Sequence, residues 1–276
     1  MPWFPDFVNA VELSRLQSRA AGRADPATQY VRALDRGDTR LLETVWPGDV
    51  VVHDPRAGEV RGHKQLRQFV KDNHAWFAAR HGHTERVAAT CADGRAVLEV
   101  VATLRGMDAQ AVAWPVAVIA ESKDELSVEF RTYCSQWPVD GRRHLRHAVL
   151  PSGGDPPGDV VARYLAAVDT GDTEAVLATF APDGYFREAT GADSLHSGTT
   201  QLRAFFSRRL RDGGIGMQHC AVTDDGVRCA VEYNVVRWGN QHAPPQAGLA
   251  VYERNPDGLL AAARLYDDVE PPASRG

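Results

Sequence analysis

Two ten-residue segments that lie 134 positions apart decide how this chain is organised. Residues 30–39 read YVRALDRGDT and residues 164–173 read YLAAVDTGDT, so six of the ten positions are identical. Three shorter matches continue the alignment at nearly the same spacing: Gln65–Phe69 with Gln201–Phe205, Glu99 with Glu232, and Arg131–Tyr133 with Arg264–Tyr266. Self-similarity at one spacing is typical of a duplicated unit. The sequence therefore predicts two copies of a single topology.

The duplication divides the chain into four parts. The segment PSGGDPPG separates the copies, and its prolines and glycines are unsuited to a helix or a central strand. Residues 6–21 have the pattern of a capped helix, which has no counterpart in the second copy. The predicted parts are an N-terminal helical extension at 1–25, a first repeat at 26–150, a linker at 151–158 and a second repeat at 159–276.

Within each copy, helical periodicity comes first and strand periodicity follows. Apolar residues at helical spacing predict a first helix that ends at Gly37, a second that begins at Asp38 or Thr39, and a third between Leu66 and Phe77. The β-rich runs of the first copy are 50–54, 84–91, 95–104, 110–121 and 128–133. This order predicts the α+β class: two tandem domains, each with three helices packed on one face of a curved antiparallel sheet.

Composition limits the partners of the chain. Its 276 residues carry 31 basic and 36 acidic side chains, a net charge of -5 that would not attract a polyanion, so no nucleic-acid partner is expected. The longest uncharged apolar run, Ala111–Ala120, is half the length of a membrane-spanning helix, so no membrane partner is expected either. The segment MPWFPDF does not resemble a signal peptide, and a cytoplasmic location is the expectation.

The sequence offers little support for a cofactor. The closest histidine groupings, His81 with His83 and His53 beside Asp54, lack the three-ligand spacing of a catalytic zinc site. The four cysteines are also too far apart for a zinc site, and we expect them to be reduced thiols. From this spacing we expect no metal. No glycine-rich phosphate loop or nucleophile motif is present, so we expect no nucleotide cofactor either.

The phrase Tyr-x-x-Ala-Leu/Val-Asp-x-Gly-Asp-Thr, followed by a strand that ends in His53-Asp54-Pro55, resembles the nuclear transport factor two-like superfamily. That superfamily includes ketosteroid isomerase, SnoaL-like polyketide cyclases, scytalone dehydratase and the limonene and polyether epoxide hydrolases. The resemblance implies a cone-shaped, cystatin-like domain whose sheet curves around a ligand pocket. It also implies that two domains pair through their sheets, so a tandem chain would form an intramolecular pseudo-dimer.

Site residues follow from the same resemblance. The oxyanion-binding tyrosine of ketosteroid isomerase matches Tyr30 and Tyr164, and its general base matches Asp54 and, in the second copy, Glu188. The protonated aspartate of that enzyme falls near Ala117, which cannot donate a hydrogen bond to an enolate. Steroid-type isomerisation is therefore disfavoured, whereas cyclisation and epoxide hydrolysis need only an acid and a base beside the reacting atom.

Three acidic residues have two interpretations each. Asp54 is a general base whose pKa is raised by apolar surroundings, or it caps the turn that starts at Pro55. Glu99 and Glu232 interrupt apolar strands, and each is either a pocket-lining acid, with Glu99 working beside Asp54, or an outward-facing residue. In the second interpretation the acid forms a salt bridge to an arginine such as Arg131.

Aromatic and polar residues complete the predicted ligand site. Trp114, Tyr133 and Trp76 are candidates for a flat wall against a ring-bearing ligand, although aromatic residues at strand spacing commonly belong to a core. His53 and Tyr266 join the candidate substrate-binding set. Asp267 and Asp268 stand where the first copy has Cys134 and Ser135, so the two pockets are expected to hold different ligands.

Two functions remain open at this level. The first is a cofactor-independent acid–base enzyme of the cyclase, isomerase or epoxide hydrolase type, acting on a small hydrophobic metabolite. Its chemistry is expected in the first copy, with Asp54 as base and Tyr30 as oxyanion donor. The second is a non-catalytic pseudo-dimer that binds a small molecule or a protein. The two functions differ in whether Asp54 and Tyr30 face one cavity.

Overall fold

The computed structural model describes residues 25–106 and 110–271, and the helix predicted for residues 6–21 lies outside them. The first domain contains α1 Pro26–Arg36, α2 Arg40–Val45, β1 Val50–Asp54, β2 Gly58–Arg61, α3 Gly62–Ala78, β3 His83–Ala92, β4 Arg95–Arg105, β5 Ala111–Ser122, β6 Val128–Tyr133 and α4 Trp137–Asp140. The second contains α5 Val160–Thr170, α6 Thr173–Leu177, β7 Phe180–Arg187, β8 Leu195–Ser197, α7 Gly198–Arg209, β9 Ile215–Asp224, β10 Arg228–Trp238, β11 Gln241–Arg254 and β12 Leu260–Leu265. The α+β class and the tandem domains are confirmed.

Each domain opens with a helical hairpin that the decapeptide encodes. The first helix ends at Gly37 in one copy and at Gly171 in the other, with φ angles of 66° and 78° that favour glycine. The following aspartate then supports the next turn: the carboxylate of Asp172 accepts a hydrogen bond from the backbone N–H of Ala175. The repeated Gly-Asp-Thr thus ends the first helix of each copy and begins the second.

Both six-stranded sheets are mixed rather than purely antiparallel, which corrects one detail of the predicted architecture. The strand order is β2-β1-β6-β5-β4-β3 in the first domain and β8-β7-β12-β11-β10-β9 in the second. In each sheet the first long strand pairs parallel with the last strand, while all other pairs are antiparallel. The third helix carries the chain across the sheet, so the first strand meets the last only after the meander is complete. Because no tight turn joins these two strands, they can run parallel.

The short strands β2 and β8 were not predicted. Each forms an edge hairpin with the strand before it, and Asp54 pairs with Gly58 across the turn of the first hairpin. The helices cover one face of each sheet. Tyr30, Leu66 and Phe130 belong to the core of the first domain, and Tyr164 and Leu202 belong to that of the second.

The opposite faces of the two sheets contact each other. Buried side chains of both domains share one apolar cluster, in which Val97 and Ile119 meet Leu249 and Val251. Strand alternation explains this division, because neighbouring residues on a strand point to opposite faces. Within residues 25–106 and 110–271, no helix has both the length and the apolar character that spanning a bilayer requires.

Candidate functional site

The first cavity lies between the helices and the sheet of the first domain, and the space between its walls, mouth included, is about 660 Å³. The cavity is mostly apolar, and its charged lining residues are Asp35, Asp54 and Arg56. Its lining comes from both helices α1 and α3, from β1, β3, β4, β5 and β6, and from the residues that follow β1 and β6; those used below are Asp54, Arg56, Val100, Trp114, Thr132 and Cys134.

Asp54 lines the first cavity and also caps the turn after β1. Its Oδ1 atom accepts hydrogen bonds of 2.9 Å from the backbone N–H groups of Arg56 and Ala57. These bonds occupy one oxygen of the carboxylate. The Arg56 guanidinium stacks 3.6 Å from the centre of the Trp76 ring. The turn interpretation and the cavity-wall interpretation of Asp54 therefore both describe its position.

Tyr30 lies in the core rather than in the cavity wall. Its ring stacks on Phe130 at 4.4 Å between centroids, and its side chain is fully buried. Within the described part of the chain, its hydroxyl has no hydrogen-bond partner, and the same holds for the buried hydroxyl of Thr132. Burial, and after it the charge of Asp54, raises the pKa of Tyr30 well above the ordinary value.

The second cavity occupies the corresponding place in the second domain, with about 730 Å³ between its walls, mouth included. It is more aromatic than the first. Its wall includes Tyr164, Phe186, Phe205, Phe206, Tyr233, Trp238 and Tyr252. Its charged residues are Arg143, Glu188, Arg209 and Asp267. The two cavities have diverged in lining, as the sequence indicates.

Asp267 is the most strongly perturbed acid of the second cavity. It follows β12, is 6% exposed, and accepts a short hydrogen bond from the Tyr233 hydroxyl. Burial raises the pKa of Asp267 to about 6, although the bond from Tyr233 opposes the shift. Burial also raises the pKa of Tyr233 well above its ordinary value, and the charge of Asp267 adds to this effect. Asp267 is thus a buried carboxyl group with a raised pKa, hydrogen-bonded to a tyrosine in the wall of an apolar cavity.

Gly248 leaves room for this pair. Gly248 on β11 pairs directly with Tyr233 on the neighbouring strand β10. A Cβ atom at this position would overlap the Tyr233 ring and come within 2.6 Å of Oδ2 of Asp267. The close approach of the Tyr233 ring and the Asp267 carboxylate to the backbone therefore requires glycine.

The predicted residues of the second domain divide between the cavity and other places. Tyr164 lines the cavity, where its ring meets that of Tyr252 at 5.2 Å. Glu188 also lines it, and its Oε1 lies 2.9 Å from Nε2 of His196. Arg187, which precedes Glu188, is buried with its guanidinium over the Tyr266 ring at 4.6 Å.

Glu99 lies on the face of β4 that meets the second domain, which corrects both predicted placements. It is fully buried and binds Arg264 through two hydrogen bonds of 2.6 and 2.9 Å. The Tyr266 hydroxyl donates a third, at 2.5 Å. Val100, the next residue on the strand, lines the first cavity instead. Alternation along β4 thus places Glu99 on the face away from the first cavity, and Tyr266, which follows β12, lies in the same domain contact.

Glu232, the equivalent residue of the second copy, binds an arginine of the first domain. Arg131 binds it at 2.6 and 2.8 Å, and the Tyr133 hydroxyl donates a bond of 2.8 Å. Glu232 and Tyr133 therefore do not line a cavity, whereas Tyr233 and Cys134, one position further along each strand, do. The predicted salt bridge to Arg131 is formed by Glu232 of the second domain, whereas Glu99 binds Arg264.

The remaining predicted residues are His53 and Trp114. His53 lies on the face of β1 opposite Asp54, with Nε2 3.6 Å from Oε1 of Glu129, and is not among the cavity residues. Burial lowers the pKa of His53. Trp114 does line the first cavity, and its Nε1 donates a 2.6 Å bond to the carbonyl of Ser135.

Sequence reasoning noted Asp267 only as a sign of divergence and did not single out Tyr233, Arg143 or Arg209. A signal for Tyr233 was present. Alternation along β10 places Glu232 and Tyr233 on opposite faces, so only one of them could line a pocket. Arg143 follows the sheet of the first domain and lines the second cavity only because the two domains contact each other. Its place in that cavity therefore leaves no local pattern in the sequence.

Comparison with protein families identifies the class. The model of the SnoaL-like domain matches residues 27–130 and again residues 161–263, which together make up about three quarters of the chain. The chain belongs to the SnoaL-like family, as a tandem of two such domains. The resemblance drawn from the sequence is confirmed, and so is the fold class.

Solved structures with weaker similarity each align with less than half of the chain. A Sinorhizobium meliloti protein, proposed to be a polyketide cyclase, is 22% identical with a TM-score of 0.33, over 38% of this chain and 92% of that one. A nuclear transport factor two-like protein of unknown function from Cytophaga hutchinsonii is 13% identical with a TM-score of 0.32, over 39% and 85%. The orange carotenoid protein of Anabaena, which binds canthaxanthin, is 16% identical with a TM-score of 0.36, over 45% and 40%. A search of curated proteins found no match.

Proposed function

We propose that this protein is an acid–base enzyme that moves a proton on a small hydrophobic molecule held in the second cavity. One observation carries the proposal: Asp267 and Tyr233 form a buried hydrogen-bonded pair in the wall of an otherwise apolar cavity. A carboxyl group with a pKa of about 6 exchanges protons readily near neutral pH. The SnoaL-like family accommodates reactions of the isomerase and cyclase type, as well as binding.

The reaction class follows from the chemistry of the pair. The ionised Asp267 removes a proton from a carbon next to a carbonyl group, and the electron pair of that C–H bond moves towards the carbonyl oxygen. The protonated carboxyl then returns the proton to a different atom of the substrate. Tyr233 orients the carboxylate through its hydrogen bond, and the apolar wall excludes water from the intermediate. Isomerisation and ring closure through an enol both fit this sequence and require no cofactor.

The first cavity suits a binding role. Two acids line it: Asp54 has one oxygen engaged by two backbone N–H groups, and Asp35 accepts hydrogen bonds from the Thr84 hydroxyl, while Tyr30 does not line the cavity. The cavity does offer Trp114, together with Trp76 at 6.0 Å between ring centroids. We therefore assign to it the alternative predicted from the sequence, non-catalytic binding of a small apolar molecule.

We further propose that the two domains form an intramolecular pseudo-dimer. Two observations support it: the reciprocal contacts of Glu99 with Arg264 and of Glu232 with Arg131, and the apolar cluster that both sheets share. Equivalent residues of the two copies make equivalent contacts, as expected for two units related by a local two-fold axis.

The catalytic proposal can be tested by hydrogen exchange on 2-tetralone, a bicyclic ketone with acidic protons beside its carbonyl. The protein is incubated with the ketone in D₂O, and loss of the α-proton signals is followed by NMR. We expect catalysed exchange whose rate rises with pH and levels off above about pH 6, because the ionised Asp267 is the base. Asp267→Asn should reduce the rate by about a hundredfold or more.

Two variants serve as controls for this experiment. Asp54→Asn removes the base predicted from the sequence, one of the two acids of the first cavity, and Glu188→Gln removes the other acid of the second. Both should retain exchange within about threefold if Asp267 is the base. Loss of exchange in Asp54→Asn, with full activity in Asp267→Asn, would instead support the base predicted from the sequence.

A further inference from the structure

The mouth of the second cavity carries two arginines that the proposed proton transfer does not use. Arg209 comes from the last turn of α7, and Arg143 comes from the segment that follows the sheet of the first domain. The second cavity is therefore built by both domains. The described lining of the first cavity, in contrast, comes entirely from the first domain.

Contacts across the domain boundary hold Arg143 in place. Asp268 accepts hydrogen bonds from the hydroxyl of Ser135 and from the backbone N–H groups of Gln136 and His144, the last two at 2.8 and 2.9 Å. These bonds attach the segment that carries Arg143 to the end of the second sheet. Asp268 thus anchors the segment, while its neighbour Asp267 faces the cavity.

The two guanidinium groups are incompletely satisfied. Arg143 donates to the carbonyl of Val269 at 3.2 Å and lies 3.3 Å from the partly exposed carboxylate of Glu270. A guanidinium group has five N–H donors, so several remain free. Arg209 rests over the Trp238 ring at 4.5 Å and, within the described residues, forms no ion pair. Burial of a cation against an aromatic wall is unfavourable unless an anion compensates it.

The acids of the cavity compensate this charge only at a distance. Asp267 is bound by Tyr233 and Glu188 lies beside His196, and the charges of both acids favour the cationic form of Arg209. Arg143 forms an ion pair with the partly exposed Glu270, which is not part of the cavity wall. Among the described residues, neither guanidinium group forms an ion pair with an acid that lines the cavity. Planar guanidinium groups bind carboxylates particularly well, through paired N–H donors.

We propose that the ligand of the second cavity is an apolar molecule that carries a carboxylate, which Arg143 and Arg209 bind at the cavity mouth. This inference rests on the proposed function and names its substrate class. The apolar part of the ligand enters among the aromatic side chains, towards Asp267 and Tyr233. Because one arginine comes from each domain, the ligand is held jointly by the two copies.

Binding of 2-naphthoate, compared with the neutral and similarly shaped 2-acetylnaphthalene, tests the proposal by isothermal titration calorimetry. We expect naphthoate to bind at least about tenfold more tightly than the ketone. Arg143→Gln and Arg209→Gln should each weaken naphthoate binding by about tenfold and leave ketone binding unchanged. Arg142→Gln is the matched control, because Arg142 is exposed and absent from the cavity wall.

The outcome separates this proposal from the catalytic one. Asp267→Asn should abolish exchange on 2-tetralone yet retain naphthoate binding, since Asp267 does not bind the carboxylate. Equal affinity for naphthoate and ketone, or naphthoate binding that neither arginine variant weakens, would overturn the carboxylate proposal while leaving the exchange result intact. Binding that Arg142→Gln weakens as much as Arg143→Gln would also contradict it, because a general surface charge would then be responsible.

Discussion

At the scale of the residue, two aspartates illustrate how surroundings decide chemistry. Asp54 and Asp267 each follow or end a strand and each face a cavity. Asp54 receives two backbone N–H bonds at a partly open turn, whereas Asp267 is buried among aromatic rings and bonded to Tyr233. Burial raises the pKa of Asp267 to about 6. The same side chain therefore serves as a turn cap in one domain and as a candidate base in the other.

The raised pKa of Asp267 has a consequence for stability. A carboxyl group whose pKa rises from 3.8 to about 6 on folding contributes stability that is fully present below pH 3.8 and lost as the pH rises through 6. The loss approaches about 3 kcal/mol at pH 8. Asp267→Asn has no carboxyl group at this position, so it does not lose stability in this way. Between pH 4 and pH 8, the stability of Asp267→Asn relative to the wild type should therefore increase by about 3 kcal/mol in urea unfolding.

The control for this measurement is Asp193→Asn, an exposed aspartate outside the cavity wall. This variant shows how much of the pH dependence comes from removal of any surface carboxylate. A difference between Asp267→Asn and the wild type that stays constant over the same range would show that Asp267 titrates normally.

At the scale of the element, alternation along the strands assigns each residue to a cavity or to the domain contact. On β10, Glu232 faces the other domain and Tyr233 faces the second cavity. After β12, Tyr266 faces the other domain and Asp267 faces the cavity. One glycine on β11, Gly248, allows the two cavity residues to meet above the sheet. Neighbouring residues thus hold unrelated roles because the strand period is two.

Gly248→Ala should displace the Asp267–Tyr233 pair. The new methyl group would overlap the Tyr233 ring and press on Oδ2 of Asp267. We expect a loss of stability of about 1–3 kcal/mol, which is typical of overpacking, and a loss of exchange activity of about tenfold or more. Unfolding and exchange on 2-tetralone measure the two effects.

Gly158→Ala is the matched control, since a Cβ atom at that linker position would meet nothing within 4 Å. It should change neither stability nor activity. Full exchange activity in Gly248→Ala would show that the geometry of the pair is unimportant for the reaction.

At the scale of the whole molecule, two reciprocal clusters join the domains. Each contains a glutamate from one copy and an arginine and a tyrosine from the other, all buried. Buried ion pairs contribute little net stability, because removal of the charges from water offsets their attraction. Loss of one partner is costly, however, since the other charge stays buried. Such clusters favour the correct pairing of surfaces over other arrangements of the same sheets.

Arg264→Met should therefore destabilise the protein by about 3–5 kcal/mol, because Glu99 is left buried and unpaired. The double variant Glu99→Met/Arg264→Met should recover much of this loss, since neither charge then remains. Urea unfolding of the wild type, both single variants and the double variant measures the coupling.

The comparison for this cycle is Arg67→Met, which breaks a more exposed ion pair with Glu43 and should have a small effect. A double variant that is less stable than Arg264→Met would contradict the paired-charge explanation. It would also weaken the proposal of a pseudo-dimer held in register by these clusters.

The sequence by itself determined the duplication, the fold class and, within the described residues, the three main helices of each copy and the longer strands. These features depend on local signals: the repeated decapeptide, the glycine at the end of the first helix, and the periods of 3.6 and 2. The location of Asp54 and Trp114 in a cavity wall also agrees with the predicted site. Local patterns were sufficient here because each feature is encoded within one element.

Tertiary structure alone decided the use of the acidic and basic residues. Glu99 finds its arginine 165 positions away, in the other copy, and Arg143 reaches a cavity of the domain that follows it. The raised pKa of Asp267 depends on burial by side chains from several strands and helices. Contacts between domains and the depth of a cavity arise from the packing of distant segments, and no local period in the sequence records them.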